Sequence, residues 1–185
     1  MSICSSNITN DTSPLFLTNG ENLKIFSQKN TSLIKAMSDI LNEEIEINEI
    51  RHRFSKKDLF YSEEVQFNSI EEFISKLMDY LQIERSTLII SYASMKKFLR
   101  KSKNNLTLNN FMKIFLTSCY INAKYNEDQI YEASRFAEFC GITIKELATL
   151  ENEYCEIIDF CLFIDEKLFN YFCSFFQEKE NEYHN

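Results

Sequence analysis

Side chains capable of metal or thiol chemistry are few in this chain and poorly placed for it. Glu49-Ile50-Arg51-His52 has the Glu-x-x-His spacing of carboxylate-bridged metal sites, but such sites need a second copy of the motif and further glutamates. The only other histidine of the sequence is His184. The six cysteines form no Cys-x-x-Cys pair, and none has a histidine placed nearby in the sequence, so a thiol nucleophile has little support. We expect reduced, mostly buried cysteines, no catalytic or metal site and no cofactor.

Two charged residues stand out because they follow or interrupt strongly apolar helical patterns. Lys124 closes one such pattern within Asn122-Ala123-Lys124-Tyr125, and Glu151 lies inside a later one. Charged side chains at places like these are usually ordinary surface residues. The two residues taken alone therefore indicate no particular function.

The composition indicates one folded and mostly helical domain. The chain has 185 residues, of which 44% are apolar, enough for one sizeable core. It has only 2 glycines and 1 proline, against a usual usage of roughly 7% and 5%, so residues for the turns between many short strands are scarce. We therefore predict an all-α fold.

Charge and hydropathy argue against several classes of partner. The formal net charge of -8 opposes binding to DNA, RNA or anionic lipid, because phosphate groups are bound by clustered lysine and arginine. The first residues lack the basic and apolar regions of a signal peptide, and no apolar run approaches the roughly 18 residues of a membrane-spanning helix. We expect a protein of the cytoplasm or nucleus, with no nucleic-acid and no membrane partner.

Patterning divides the chain into four regions. Residues 1–31 are rich in Ser, Thr and Asn and lack sustained periodicity, which favours a flexible N-terminal arm. Residues 32–66 are predicted to form one helix, from Leu33 to about residue 50, and then a charged linker. The main body covers residues 67–176, and residues 177–185 form a polar tail that is expected to fray.

Five helices are predicted between residues 67 and 164. The third is apolar nearly all the way round, so the other four must enclose it. A further phenylalanine-rich helix follows, with Asp165 as its N-cap. The predicted capping residues of the five are Ser69, Thr107 and Thr143 at helix starts and Gly141 at a helix end.

The limits of the last two of these helices are less sharply marked. The fourth is predicted to begin within Asn126-Glu127-Asp128-Gln129 and to reach Cys140. The fifth, which follows Thr143, is predicted to run to about Phe163, because apolar residues continue to that point.

Three short motifs follow one another in the main body. They are Asn122-Ala123-Lys124-Tyr125, then Ala137-Glu138-Phe139-Cys140-Gly141-Ile142, and then Glu146 through Leu150-Glu151 to Asp159-Phe160. In this order and spacing they resemble the cyclin box of the P/U-type cyclins related to the fungal phosphate-pathway cyclin. The resemblance covers roughly residues 67–176 and implies a five-helix cyclin box with a central buried helix, flanked by N- and C-terminal helices.

The resemblance also implies a partner and a binding surface. Cyclins use a lysine at the end of the third helix and a glutamate in the fifth to hold the backbone beside the regulatory helix of a cyclin-dependent protein kinase. By position these residues are Lys124 and Glu151. The implied function is that of a non-enzymatic subunit that activates such a kinase, while cell division, nutrient signalling and transcription all stay open as the process served.

The chain also departs from the family pattern. Cyclins commonly carry an aspartate-arginine pair in the second helix, where this sequence has Lys96-Lys97. The ion pair that usually braces the first two helices is therefore not expected here. A helical interaction adaptor unrelated to kinases is the alternative reading, and a metal-dependent or thiol enzyme is the weakest, because no complete catalytic constellation can be written down.

Overall fold

Helices make up the regular structure of the part of the chain that can be described. The structure is a computed structural model that describes residues 19–51, 58–128 and 131–183. In chain order the helices are α1 (Asn19–Arg51), α2 (Ile70–Leu81), α3 (Arg85–Ser102), α4 (Leu108–Asn126), α5 (Ala133–Phe139), α6 (Ile144–Ile157) and α7 (Glu166–Glu182). No strand occurs within those three ranges, and the predicted all-α fold is confirmed.

Helix α4 forms the centre of the domain, as predicted. Between Asn110 and Ala123 it buries nearly every side chain, and α3, α5 and α6 all pack against it. Helix α2 reaches it through Phe73, whose ring centroid lies 5.5 Å from that of Phe111. A helix enclosed in this way can expose polar side chains only near its ends, and Lys124 lies in its last turn.

The two outer helices belong to the same core as the five inner ones. Helix α1 packs on α2 and on α7, and α7 also covers α3, where Tyr92 contacts the rings of Phe172 and Phe176 at 5.4 and 5.1 Å. The buried apolar residues of α1 fall at helical spacing, as predicted: Leu33, Ile34, Met37, Leu41 and Ile45.

Helix α1 begins earlier than its sequence pattern indicated. It starts at Asn19 rather than near Leu33, so residues 19–31, assigned to a flexible arm, are helical. From residue 21 to residue 51 the sequence has neither glycine nor proline, the two residues that most oppose a helix. The remainder of the predicted arm, residues 1–18, lies outside the described residues.

Helix α7 ends later than predicted, because long-range contacts hold the segment assigned to the polar tail. Glu180 is buried, and its Oε1 accepts a hydrogen bond from Arg85 Nη2 at 2.6 Å. Tyr183 Oη donates to Asp39 Oδ2 at 2.5 Å, and Lys35 Nζ lies 4.4 Å from the centre of the Tyr183 ring. These partners are far away in sequence, so local patterning could not reveal them.

Helix α5 begins later than predicted, at Ala133. Glu127, within the predicted start, is extended instead, and its carboxylate accepts hydrogen bonds from the Glu84 N–H at 3.2 Å and from the Tyr131 hydroxyl. Glu127, which resembles part of a helix start, therefore joins the end of α4 to the beginning of α3. The end of α5 agrees with prediction, since Gly141 is left-handed with φ of 62°.

Helix α6 ends at Ile157 instead of near Phe163. Asp159 and Phe160 both adopt a left-handed φ of 54°, and the Phe160 N–H donates to the Cys155 carbonyl at 2.8 Å. This is a Schellman end. It is hard to recognise in the sequence because it has aspartate in place of the usual glycine and because apolar residues continue beyond it.

The predicted linker contains a core residue. Of its residues 51–66, the part from Asp58 is described, and Phe60 there is buried against Phe98 and Tyr154, with ring centroids 5.0 and 6.5 Å apart. The Ser62 N–H also donates to the Asn109 carbonyl at 2.8 Å. The aromatic residues of this charged segment, Phe54, Phe60 and Tyr61, follow no helical or strand periodicity, so this attachment was not predicted.

The contact between Arg85 and Glu180 can be tested through stability. Arg85→Met should lower the free energy of unfolding by about 2 kcal/mol, because the buried Glu180 carboxylate then lacks the guanidinium that neutralises it. The double variant Arg85→Met/Glu180→Met removes both charges and should recover most of that loss. Urea unfolding followed by circular dichroism measures both. A double variant as unstable as Arg85→Met would show that the uncompensated charge is not the cause.

Candidate functional site

The two residues implied by the family pattern meet at the surface. Lys124 lies in the last turn of α4, where the helix dipole stabilises a positive charge. Glu151 lies midway along α6, between the buried Leu150 and Tyr154. Lys124 Nζ is 2.7 Å from Glu151 Oε1. The structure therefore brings the two predicted site residues together as an ion pair between α4 and α6.

The Lys124–Glu151 pair is accessible and charged. The Lys124 and Glu151 side chains are 43% and 25% exposed, and Lys124 Nζ lies 4.6 Å from the centre of the Tyr120 ring. Partial burial alone would lower the Lys124 pKa, but the hydrogen bond and negative charge of Glu151, together with Tyr120, raise it above its ordinary value. An ammonium has three donors and a carboxylate several acceptor positions, so a single bond between them leaves both able to bind external groups.

A second ion pair joins the same two helices nearer their beginnings. Lys113 Nζ lies 2.8 Å from Glu146 Oε1, and the Lys113 side chain is largely buried. Lys113 also donates to the Tyr61 carbonyl at 3.3 Å. This pair was not predicted, although Glu146 was recognised at the start of α6. It has the same chemistry as the Lys124–Glu151 pair, but its lysine is less exposed, 13% against 43%, and its glutamate is more exposed, 35% against 25%.

Apolar side chains are exposed on both helices that carry the ion pair. Tyr125, next to Lys124, is 54% exposed, and Ile144, in the first turn of α6, is 55% exposed. Ala148 is also exposed and lies between Ile144 and Glu151 at helical spacing, on one face of α6. The Lys124–Glu151 pair is therefore accompanied by apolar surface that a partner could cover.

The position where cyclins commonly carry an aspartate-arginine pair has different contacts here. Lys96 Nζ lies 2.5 Å from Glu44 Oε1 of α1, and Lys97 Nζ donates to the Cys161 carbonyl at 2.7 Å. Lys101, one turn later, forms an ion pair with Asp159. These lysines thus tie α3 to α1 and to the turn after α6, in place of the usual brace between the first two box helices.

The metal and thiol groups considered in the sequence have the following surroundings in the described residues, where Cys161 is an exposed thiol. In residues 19–51, 58–128 and 131–183, no group of three or more His, Cys, Asp and Glu side chains is placed to hold a metal ion. His52 and His184 lie outside those ranges. Cys119, Cys140 and Cys155 are buried free thiols. Burial raises their pKa, that of Cys119 to about 12, which disfavours a reactive thiolate.

No helix in residues 19–51, 58–128 and 131–183 is long and apolar enough to cross a membrane.

The Lys124–Glu151 pair should contribute little to folding. Lys124→Met is expected to lower the free energy of unfolding by about 1 kcal/mol or less at pH 7. Because pairing raises the Lys124 pKa in the folded state, this contribution is complete below the unfolded value of about 10.4 and is lost as the pH rises through the folded value.

Urea unfolding of wild type and Lys124→Met at pH 7, 9 and 11 measures this contribution. Lys145→Met, which removes an exposed lysine from α6, is the control. The difference between wild type and Lys124→Met should shrink between pH 9 and pH 11. A loss above about 2 kcal/mol at pH 7 would make the pair structural.

Comparison with known proteins bears on the family of this chain. A family model described as Cyclin matches residues 19–162. The chain is 24% identical to Cyclin-U2-1 and 27% identical to Cyclin-U4-3, both of Arabidopsis thaliana, over 76% and 80% of its own length and 66% and 68% of theirs. It is 25% identical to Cyclin-P2-1 of Oryza sativa subsp. japonica over 57% of its length and 48% of that protein. The chain thus spans between about half and two thirds of these relatives. It belongs to the cyclin family of regulatory proteins, with the P- and U-type members.

Proposed function

We propose that this chain binds a cyclin-dependent protein kinase through the surface of α4 and α6 that carries Lys124 and Glu151, and that it activates the kinase by stabilising the active position of the kinase's regulatory helix. Membership of the cyclin family supports a kinase partner. The observation that carries the choice of surface is the exposed ion pair, at 2.7 Å, between residues that the family pattern assigns to this contact.

The chemistry of the pair suits the binding of a polypeptide backbone. The ammonium of Lys124 can donate to backbone carbonyls, and the carboxylate of Glu151 can accept from backbone amides. Hydrogen bonds to charged groups are roughly twice as strong as neutral ones. Since the two charges neutralise each other, a partner can cover them at a smaller electrostatic cost than it could cover one charge alone.

Apolar burial would supply much of the affinity. Tyr125 and Ile144 are exposed on the two helices that carry the pair, and truncation of central aromatic residues often weakens protein interfaces strongly. A stable interface buries on the order of 1,600 Å². A surface that extends from the end of α4 along α6 offers both charged and apolar contacts to such a partner.

Activation follows if the complex favours one position of the kinase helix. Kinase catalysis requires an ion pair between a strand lysine and a glutamate of that helix. A partner that binds only the active position shifts the population toward it. A change from 1:99 to 99:1 needs roughly 5.5 kcal/mol of differential affinity, which an interface of this size can provide.

The test exchanges charges within each ion pair. In Lys124→Glu/Glu151→Lys the two residues can still pair, so the fold should persist while the charges presented to a partner are reversed. Lys179→Glu/Glu182→Lys makes the same exchange at an exposed pair of α7, a helix outside the proposed surface. We expect the first variant to bind the kinase about 30-fold or more weaker than wild type, and the control to bind nearly as well as wild type.

The measurement is capture of each tagged protein with its bound kinase, identification of the kinase by mass spectrometry, and then titration and an activity assay with the purified kinase. Circular dichroism and melting temperature verify the fold of each variant. Equal kinase binding by wild type and the Lys124/Glu151 exchange variant would refute the proposed surface. Absence of kinase from all eluates of folded protein would refute the partner and favour an adaptor role.

A further inference from the structure

A buried chain of hydroxyl groups lies directly behind the Lys124–Glu151 pair. Its central member is Tyr154 of α6, which is fully buried and lies three residues after Glu151. The Tyr154 Oη is 3.0 Å from Ser94 Oγ of α3 and 3.0 Å from Ser118 Oγ of α4. One side chain of α6 is therefore hydrogen-bonded to two of the helices on which α6 packs, α3 and α4.

The backbone carbonyl of Ser91, at the end of the chain of hydroxyl groups, fixes the direction of the hydrogen bonds. Ser118 Oγ donates to the Ser91 carbonyl at 2.8 Å, so its own proton is committed. The Tyr154 hydroxyl therefore donates to Ser118, and Ser94 donates to Tyr154. Each hydroxyl donates one proton, and the chain is satisfied only when the three helices keep their relative positions.

The network also reaches the end of α4 that carries Lys124. Asn122, two residues before Lys124, donates from Nδ2 to the Ser118 carbonyl at 2.8 Å. It is fully buried, and its Oδ1 has no hydrogen-bond partner among the described residues. An apolar residue would avoid the penalty of an unpaired buried acceptor. Both bonds of Asn122 Nδ2 stay within α4, so the bonds that hold α6 against α3 and α4 are those of Tyr154.

Ring packing alone would leave the position of α6 less defined. The Tyr154 ring stacks on Phe98 at 4.5 Å and 9° and contacts Phe60 edge-on. Stacked rings can slide over one another at small cost, whereas hydrogen bonds weaken steeply with distance and angle. If α6 moved along its axis by even a fraction of the 1.5 Å rise per residue, Glu151 would be displaced from Lys124 by a similar distance.

We propose that the Tyr154 hydroxyl is a positioning group: by fixing α6 against α3 and α4, it sets the place where Glu151 meets Lys124 and thereby shapes the binding surface. The part of this proposal that concerns the kinase rests on the proposed function. The part that concerns the ion pair does not, because it can be measured on the free protein.

The test is Tyr154→Phe in the full chain, which keeps the ring and removes the hydroxyl. Tyr92→Phe is the matched control, because it removes another buried tyrosine hydroxyl from the side of α3 that faces α7. The first readout is the Lys124 pKa, measured by NMR titration of lysine side chains in the free protein. It should fall toward its ordinary value in Tyr154→Phe and stay raised in Tyr92→Phe.

The second readout is affinity for the kinase, which should fall on the order of fivefold in Tyr154→Phe and stay near the wild-type value in Tyr92→Phe. An unchanged Lys124 pKa in folded Tyr154→Phe would overturn the positioning role, whether or not a kinase binds. A lowered pKa with undiminished kinase affinity would overturn the link to the binding surface.

Ser118→Ala is a second variant, which decides the question if Tyr154→Phe does not fold. It removes the partner of Tyr154 on α4 and should lower the Lys124 pKa as Tyr154→Phe does. If wild type binds no kinase, the proposed function fails, while the pKa measurements still decide whether Tyr154 positions the pair.

Discussion

The enclosure of α4 is the constraint on which the rest of this structure depends. A 19-residue helix that is apolar on nearly every side must be covered all round, and the helices that surround it are arranged to do so. Charged side chains are consequently excluded from most of its length. The two that occur, Lys113 and Lys124, are each paired with a glutamate of α6, and only Lys124 is well exposed. The core thus determines where on this face a charged surface can form.

The contact of α6 with its neighbours combines three kinds of interaction that act at different distances. Apolar packing by Leu147 and Leu150 holds α6 against the core but leaves room for small displacements. The hydroxyl chain through Tyr154 restricts those displacements. The Lys124–Glu151 pair lies at the surface, where solvent weakens it. A surface built on such a base can be changed at its charged residues with little effect on folding.

Much of the fold was predictable because its signals are local. Ser69, Thr143 and Asp165 each accept a hydrogen bond from the amide three residues ahead, and such caps can be recognised in the sequence. The choice of Lys124 and Glu151 required the family resemblance, and the structure adds that they meet; their role in kinase binding remains a prediction. Phe60, Glu180 and the hydroxyl chain were missed because their partners are distant in sequence. The end of α6 was missed because apolar residues continue beyond it.

The pairing of α1 with α7 has a consequence for how the protein is made. Tyr183 and Asp39 are hydrogen-bonded although 144 positions separate them, and Arg85 and Glu180 are paired across 95 positions. Contacts of such long sequence separation form late and slow folding. While the chain leaves the ribosome, the part of α1 that faces α7 and the aromatic residue Tyr92 of α3 stay uncovered until α7 has emerged. Nascent chains that pause before that point expose apolar surface, which is the kind of surface that chaperones bind.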